Sequence, residues 1–133
     1  AGGVHIRTTG TSHSPANRIR FLYFQSGSKG TGVDSAVLTA GWYQFVATYN
    51  GSGLSHSNFG LYINGVAAAV TDPTFGSPST IPQTQNFGIG AIPDESGQHY
   101  WNGKIAIVRV YSKLLSATEV KQNFEAHKGR FGL

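Results

Sequence analysis

Near its C-terminal end the chain reads Ile105-Ala106-Ile107-Val108-Arg109-Val110-Tyr111, then Leu114-Leu115, then Ser116-Ala117-Thr118-Glu119. Four of the first seven residues are β-branched, stiff at χ1 and best accommodated on a pleated strand. In an extended conformation Ile105 and Ile107 lie on one face and Ala106, Val108 and Val110 on the other, so the strand is apolar on both sides and needs cover on both. The Ser-x-x-Glu that follows is a capping box: the Ser116 hydroxyl accepts from the Glu119 amide, and the Glu119 carboxylate accepts from the Ser116 amide. A helix therefore begins at a defined place directly after the strand. Ala117, Val120 and Phe124 form a stripe on it at helical spacing. The expected arrangement is a strand covered by an opposing sheet on one face and by this helix on the other. Lys128 in the last turn and Gly129 just after it predict the helix stop.

The rest of the chain reads as strands joined by turns. Only 12% of the 133 residues are charged and 18 are glycine, a mix that favours sheets over solvent-facing helices. Val4–Arg7 alternates and predicts a first, edge strand. Arg18–Gln25 alternates over a longer run and ends in the turn-rich Ser26–Gly30. Trp42–Tyr49 places Tyr43, Phe45, Ala47 and Tyr49 on one face. The hairpin signal is Phe59–Ile63, Asn64-Gly65, Val66–Val70, because Asn-Gly suits a two-residue type I′ turn whose central residues both need positive φ. Counting outward sets Ile63 against Val66, Leu61 against Ala68 and Phe59 against Val70. Asp72–Thr84, rich in Pro, Ser and Thr, predicts a long loop, and Gln85–Ile92 another strand. No internal repeat or linker interrupts residues 1–133, which are of single-domain size.

Four stretches together resemble laminin G-like domains of the concanavalin A-like lectin/glucanase superfamily. They are Trp42–Tyr49, Leu61-Tyr62-Ile63-Asn64-Gly65, Phe87-Gly88-Ile89-Gly90, and the closing string from Trp101-Asn102-Gly103-Lys104-Ile105 to Glu119. The tail from Val120 to Leu133 is similar to the ends of such modules in bacteriophage structural proteins. The resemblance spans residues 42–133; residues 1–40 match poorly and show no opening strand with a buried Trp. It implies an all-β fold, an antiparallel β-sandwich of jelly-roll, concanavalin A-like topology with one short C-terminal helix. A full sandwich of this kind takes more chain, so either the fold is pared down or strands are lost or come from a neighbouring subunit. Where the family often carries acids that hold a cation, this chain has Ala106 and Asn64.

Several chemistries are excluded by the residues themselves. Ten Lys and Arg against six Asp and Glu give a formal charge of +4, but the cations are scattered and form no basic face, so nucleic-acid binding is not expected. The absence of cysteine removes disulfides and thiolate chemistry. No stretch of roughly 18 apolar residues is present to form a membrane-spanning helix. Glycoside hydrolysis needs two carboxylates flanking one bond. Of Asp34, Asp72, Asp94, Glu95, Glu119 and Glu125, no two fall on one strand face, and the chain reads as a non-enzyme. His5, His13, His56, His99 and His127 sit in separate segments without metal-ligand spacing.

Calcium is the cation that the resemblance implies, held by loop oxygens. Asp94 and Glu95, with Gln98 nearby, form the best local cluster; Asp72 and Asp34 are alternatives. Glycan binding uses exposed aromatic faces with amide and carboxylate groups, which singles out Asp94, Gln98, His99, Tyr100, Trp101 and Asn102. His56 and Asn58 join them if their loop lies at the same end. The competing role for Trp101 is closure of the core at the strand entry. Asn50-Gly51-Ser52 fits a glycosylation sequon and equally a good turn. The expected function is a non-catalytic structural or adhesion module of an extracellular particle, a phage virion protein such as a capsid decoration or tail appendage. Its partners would be copies of itself or virion subunits, and a cell-surface glycan. The alternatives are a free-standing carbohydrate-binding, lectin-like module of a secreted protein and, further off, a divergent glycosidase.

Overall fold

The computed structural model describes residues 3–9, 16–25, 29–79, 86–90, 101 and 103–133. Its strands are β1 (Gly3–Thr8), β2 (Ile19–Gln25), β3 (Lys29–Ser35), β4 (Phe45–Tyr49), β5 (Phe59–Ile63), β6 (Val66–Ala67), β7 (Val70–Thr71) and β8 (Asn86–Ile89). A 3-10 turn, His56–Asn58, precedes β5, and helices α1 (Ala117–Glu125) and α2 (Lys128–Phe131) end the chain. The strands form two sheets, ordered β7-β3-β2-β1-β8 and β4-β5-β6. This is the expected two-sheet β-sandwich with a short C-terminal helix.

Alternation along the strands builds the core. Ile19, Phe21 and Tyr23 of β2, Val33 of β3, and Phe59 and Leu61 of β5 form its buried cluster. Each such side chain contributes about 1.5–3 kcal/mol by leaving water. Phe21 meets Phe59 edge-on across the sheets at 5.6 Å and 66°. Phe45, Ala47 and Tyr49 pack against this cluster from β4, the face that their spacing predicts. On the outer face of the large sheet, Arg20 and Asp34 are directly opposed across β2 and β3. Arg20 Nε and Nη2 donate to the two Asp34 carboxylate oxygens, each at 2.7 Å.

The structure departs from the expectations in five places. β1 is an interior strand rather than an edge, antiparallel to β2 and parallel to β8. β3 follows where only a turn is legible, because Gly30 and Gly32 hide its strand character. Both glycines serve close approach: a Cβ would lie 2.8 Å from the Phe75 ring at Gly30 and 2.0 Å from the Phe21 carbonyl oxygen at Gly32. The Asn64-Gly65 turn forms as expected, with φ of 51° and 77°. Ile63 pairs with Val66, and the Ala68 amide donates to the Leu61 carbonyl. Phe59 never meets Val70, however. Residues 70–71 cross to the large sheet and pair with β3, the run Ala67-Ala68-Ala69 being too poor a strand former to hold a long ladder.

The fourth departure concerns the apolar run. Residues 104–114 form no regular element and belong to neither sheet, and all are exposed; Val108 is 52%, Val110 75% and Leu114 55% accessible. Among the described residues the expected cover on both faces is not found. The helix stripe is used elsewhere: Val120 is fully buried, and Phe124 seats on the β5–β6 turn. There a Cβ on Gly65 would come within 3.0 Å of the Phe124 ring. Ala117 of the stripe is exposed. Finally, α1 stops at Glu125, and the left-handed glycine that closes the tail is Gly132 at φ 68°, not Gly129.

Gly65 thus combines positive φ with a contact that forbids a side chain. Gly65→Ala should cost about 1–3 kcal/mol in urea unfolding, and less when combined with Phe124→Ala, which empties the seat. Strict additivity in that double-mutant cycle would contradict the contact.

Candidate functional site

Between β4 and the exposed run lies a groove of about 1080 Å³, lined by β4, Trp42, Trp101, residues 103–115 and parts of α1 and α2. Small-molecule sites have volumes of about 300–1,000 Å³. One wall is a bare sheet edge, since β4 pairs only with β5 among the described strands. The backbone shows which of its groups face the groove. The Asn64 amide donates to the Gln44 carbonyl and the Asn50 amide to the Asn58 carbonyl, at either end of the ladder. Antiparallel pairing alternates, so Val46 and Thr48 bond to β5, and the N–H and C=O groups of Phe45, Ala47 and Tyr49 point outward. Gln44 Oε1, which also lines the groove, is buried and has no hydrogen-bond partner among the described residues.

The opposite wall is the strap, Lys104–Leu114. At its start Trp101 stacks on Phe45 at 5.6 Å and 27°, and its amide donates to the Gly90 carbonyl. Ile105 comes against Gly90, where a Cβ would lie 3.0 Å from its Cδ1. At its far end Leu115 is buried and the capping box forms with both halves present. Between these anchors a ladder ties alternate strap residues to every fourth residue of the helical tail. Arg109 Nη2 lies 2.9 Å from His127 Nε2, Asn123 Nδ2 donates to the Tyr111 hydroxyl at 3.3 Å, and Lys113 donates to Glu119. His127 Nδ1 lies 2.8 Å from the Asn123 carbonyl oxygen and must donate to it, which leaves Nε2 as the acceptor for Arg109.

Among the described residues no Asp or Glu lines the groove. Four of the six acids are described, and each is engaged: Asp34 with Arg20, Asp72 with His56, Glu119 with Lys113 and Glu125 with Lys128. Burial pushes the Asp72 carboxyl up, but hydrogen bonds from Thr74 and the nearby His56 outweigh it and hold it below the ordinary value. Glu119 is brought down from 4.5 to about 2, first by the Lys113 hydrogen bond and then by those from Ser116.

Of the candidate glycan residues, Trp101, His56 and Asn58 are described, and the first lies apart from the other two. Trp101 is half-buried against Phe45, the role of core closure, at one end of β4. His56 and Asn58 are at the other end, where Asn50 meets Asn58. His56 Nδ1 is 2.9 Å from Asp72, and Asn58 ties down its own loop through the Ser52 and Gly53 carbonyls. Asp94, Glu95, Gln98, His99, Tyr100 and Asn102 lie outside the described residues. Asn64, where the resemblance has an acid, spends its side-chain oxygen on the Gln44 amide. Among the described residues no group of three His, Asp or Glu is placed to hold a metal ion. The groove itself carries no sequence motif. Its only advance sign is the run Ile105–Tyr111, too apolar to be left uncovered.

The fold and this arrangement place the chain among lectin-like sandwiches. A family model described as the concanavalin A-like lectin/glucanases superfamily, of laminin G type, matches residues 2–121, and the chain belongs to that family. The match takes in the first forty residues, whose motifs are not legible by eye. No curated protein and no solved structure matches the chain significantly. Domains of this family are often carbohydrate-binding and generally non-catalytic.

The capping box can be checked by its acid dependence. Glu119 has a lowered folded-state value, so its contribution is present above pH 4.5 and fades as pH falls to about 2. The melting-temperature gap between native protein and Glu119→Gln should close over that window; a constant gap would contradict it. Ser116→Ala should cost about 1 kcal/mol.

Proposed function

We propose that this chain is a non-catalytic structural and adhesion module of an extracellular particle, with a phage virion appendage or capsid decoration as its setting, and that it works as an oligomer. The observation that supports this reading is the strap. Soluble monomers rarely leave contiguous apolar surface open, and none of the backbone hydrogen bonds among the described residues involves this apolar segment, which leaves it free to meet another chain. Covering it with a neighbouring subunit would satisfy both demands. The four described carboxylates are each engaged and none of them lines the groove, which supports the non-enzymatic part of the reading, because acid–base cleavage of a glycosidic bond needs two carboxyl groups at one site.

In the assembled particle the loops remain to meet a cell-surface glycan. The segment Asp94–Asn102, which runs into Trp101, is the proposed contact, with the exposed loop of His56 and Asn58 as a separate one. The second reading, a free-standing lectin-like module, is favoured by the aromatic groove, where Trp42 is 43% exposed and within reach of a sugar. A calcium ion at Asp94 and Glu95 is a subordinate proposal, supported by their adjacency alone.

Sedimentation velocity over a concentration series separates these readings. The assembly reading expects concentration-dependent association that Val110→Glu abolishes. A strictly monomeric chain that binds a glycan array, and loses that binding with Trp42→Ala, would establish the lectin reading instead. Melting after EDTA treatment, with and without added calcium, decides the ion: a rise in Tm on addition that Asp94→Asn removes is the expected mark of the site, and no rise overturns it.

A further inference from the structure

We infer that Asn50 is a site of spontaneous covalent modification. Its side chain closes on the Gly51 nitrogen as a succinimide and reopens as aspartate or isoaspartate, which unclasps the loop carrying His56 and Asn58. This goes beyond the assembly and lectin readings and depends on neither. Two Asn-Gly pairs fall wholly among the described residues, Asn50-Gly51 and Asn64-Gly65, and the fold treats them oppositely. Asn50 Oδ1 accepts from the Ser52 amide at 2.9 Å, an Asx turn. The hydrogen-bonded ring of that turn contains both Asn50 Cγ and the Gly51 nitrogen, so the two reacting atoms are held on one short loop. The bond also polarises the carbonyl that is attacked. Both residues are exposed, no described backbone hydrogen bond uses the Gly51 amide, and a Cβ at Gly51 would meet nothing within 4 Å. Asn64 has the same neighbour and none of this freedom. Its Oδ1 accepts from the Gln44 amide at 3.0 Å, and its own amide donates to the Gln44 carbonyl at 2.8 Å. Gly65 is seated against Phe124, where a Cβ would lie 3.0 Å from the ring. Ring closure at Asn64 would break the tie to Gln44 and disturb that seat.

The reaction needs water alone. The Gly51 nitrogen gives up its proton and bonds to Asn50 Cγ, and the side-chain nitrogen leaves with that proton as ammonia. Water then opens the ring. Cleavage of the new bond gives aspartate with the original backbone, and cleavage at the main-chain carbonyl gives isoaspartate, with the backbone rerouted through the side chain. Nothing is oxidised or reduced. The product carboxyl is ionised at neutral pH, so the formal charge of +4 falls by one. The consequence is local. Asn50 Nδ2 donates to Asn58 Oδ1 at 3.1 Å, and Asn58 Nδ2 donates to the Ser52 and Gly53 carbonyls at 3.2 and 3.1 Å. A carboxylate at position 50 has no proton to donate, so two acceptor oxygens would face each other. Turning the Asn58 amide over would supply a donor only by giving up its bonds to Ser52 and Gly53. Either way the loop loses part of its clasp.

Peptide mass spectrometry tests this directly. The native chain and the chain unfolded in guanidinium are incubated in the same mildly alkaline buffer, digested, and followed in time at both positions. Unfolded, Asn50 and Asn64 should convert at similar rates, because glycine follows each. Folded, Asn50 should convert as fast as in the unfolded chain or faster, giving both aspartate and isoaspartate, while Asn64 slows many-fold. Asn50→Gln, whose longer side chain forms the ring poorly, should stay unmodified at position 50. Asn50→Asp reproduces one product and should exchange its Asn58 amide faster than the native chain, with β5 unchanged. Equal rates at the two positions in the folded chain, or an Asn50 protected by folding as strongly as Asn64, would overturn the site. An Asn50→Asp chain whose Asn58 amide exchanges as in the native protein would overturn the unclasping.

Discussion

The edge-to-face contact of Phe21 with Phe59 carries the architecture. Phe21 is in β2 and Phe59 in β5, each flanked by a strand on both sides, so their contact joins the two sheets at their middles. Aromatic pairs of this geometry add about 0.5–1.5 kcal/mol beyond their buried area. Around it Ile19, Tyr23, Val33 and Leu61 are buried as one cluster, and Tyr49 closes on Phe59 from β4 at 4.8 Å. Gly32 lets β3 lie so close to β2 that no side chain could take its place. The same sheet order leaves β4 with one edge unpaired among the described strands, and that edge is where the functional question begins.

Opposite that edge the chain carries an apolar run that neither sheet absorbs. Its hold on α1 comes from exposed polar contacts, and contacts of this kind are worth about 0.2–1 kcal/mol each. The ladder sets the direction of the strap more than it stabilises it. The stronger attachments are the buried Leu115 and the Trp101–Phe45 stack at its two ends. Among the described residues, a segment so fixed at both ends and weakly held between them has its apolar side chains exposed and no backbone hydrogen bond. This is the physical reason to look for the function of the protein at a surface contact rather than in a reactive site.

Much of the framework was legible in the residues because local chemistry and fold agree there. The capping box at Ser116 and Glu119, the Asn64-Gly65 turn and the alternation in β2 and β4 each depend on neighbours a few positions away. What could not be read depends on distant partners. β3 is disguised by Gly30 and Gly32, whose purpose is visible only once Phe75 and the Phe21 backbone stand beside them. Val70 leaves its hairpin for β3 because an edge was open there. The stripe Ala117, Val120 and Phe124 predicts cover for the apolar strand, whereas Phe124 covers the Gly65 turn. Of the candidate site, Trp101 is placed where core closure requires it, and the separation of Trp101 from Asn58 along β4 was not encoded in either motif.

The central proposal is that the strap, which pairs with no strand among the described residues, is covered by another chain. Amide hydrogen exchange followed residue by residue tests it most directly. In dilute protein the account predicts protected amides at Val46 and Thr48, and fast exchange at Phe45, Ala47, Tyr49 and throughout Ile105–Tyr111, with protection of the strap alone growing as concentration rises. Protection of the strap together with Phe45, Ala47 and Tyr49 at every concentration would show that the strap closes on β4 within one chain, and would contradict the account.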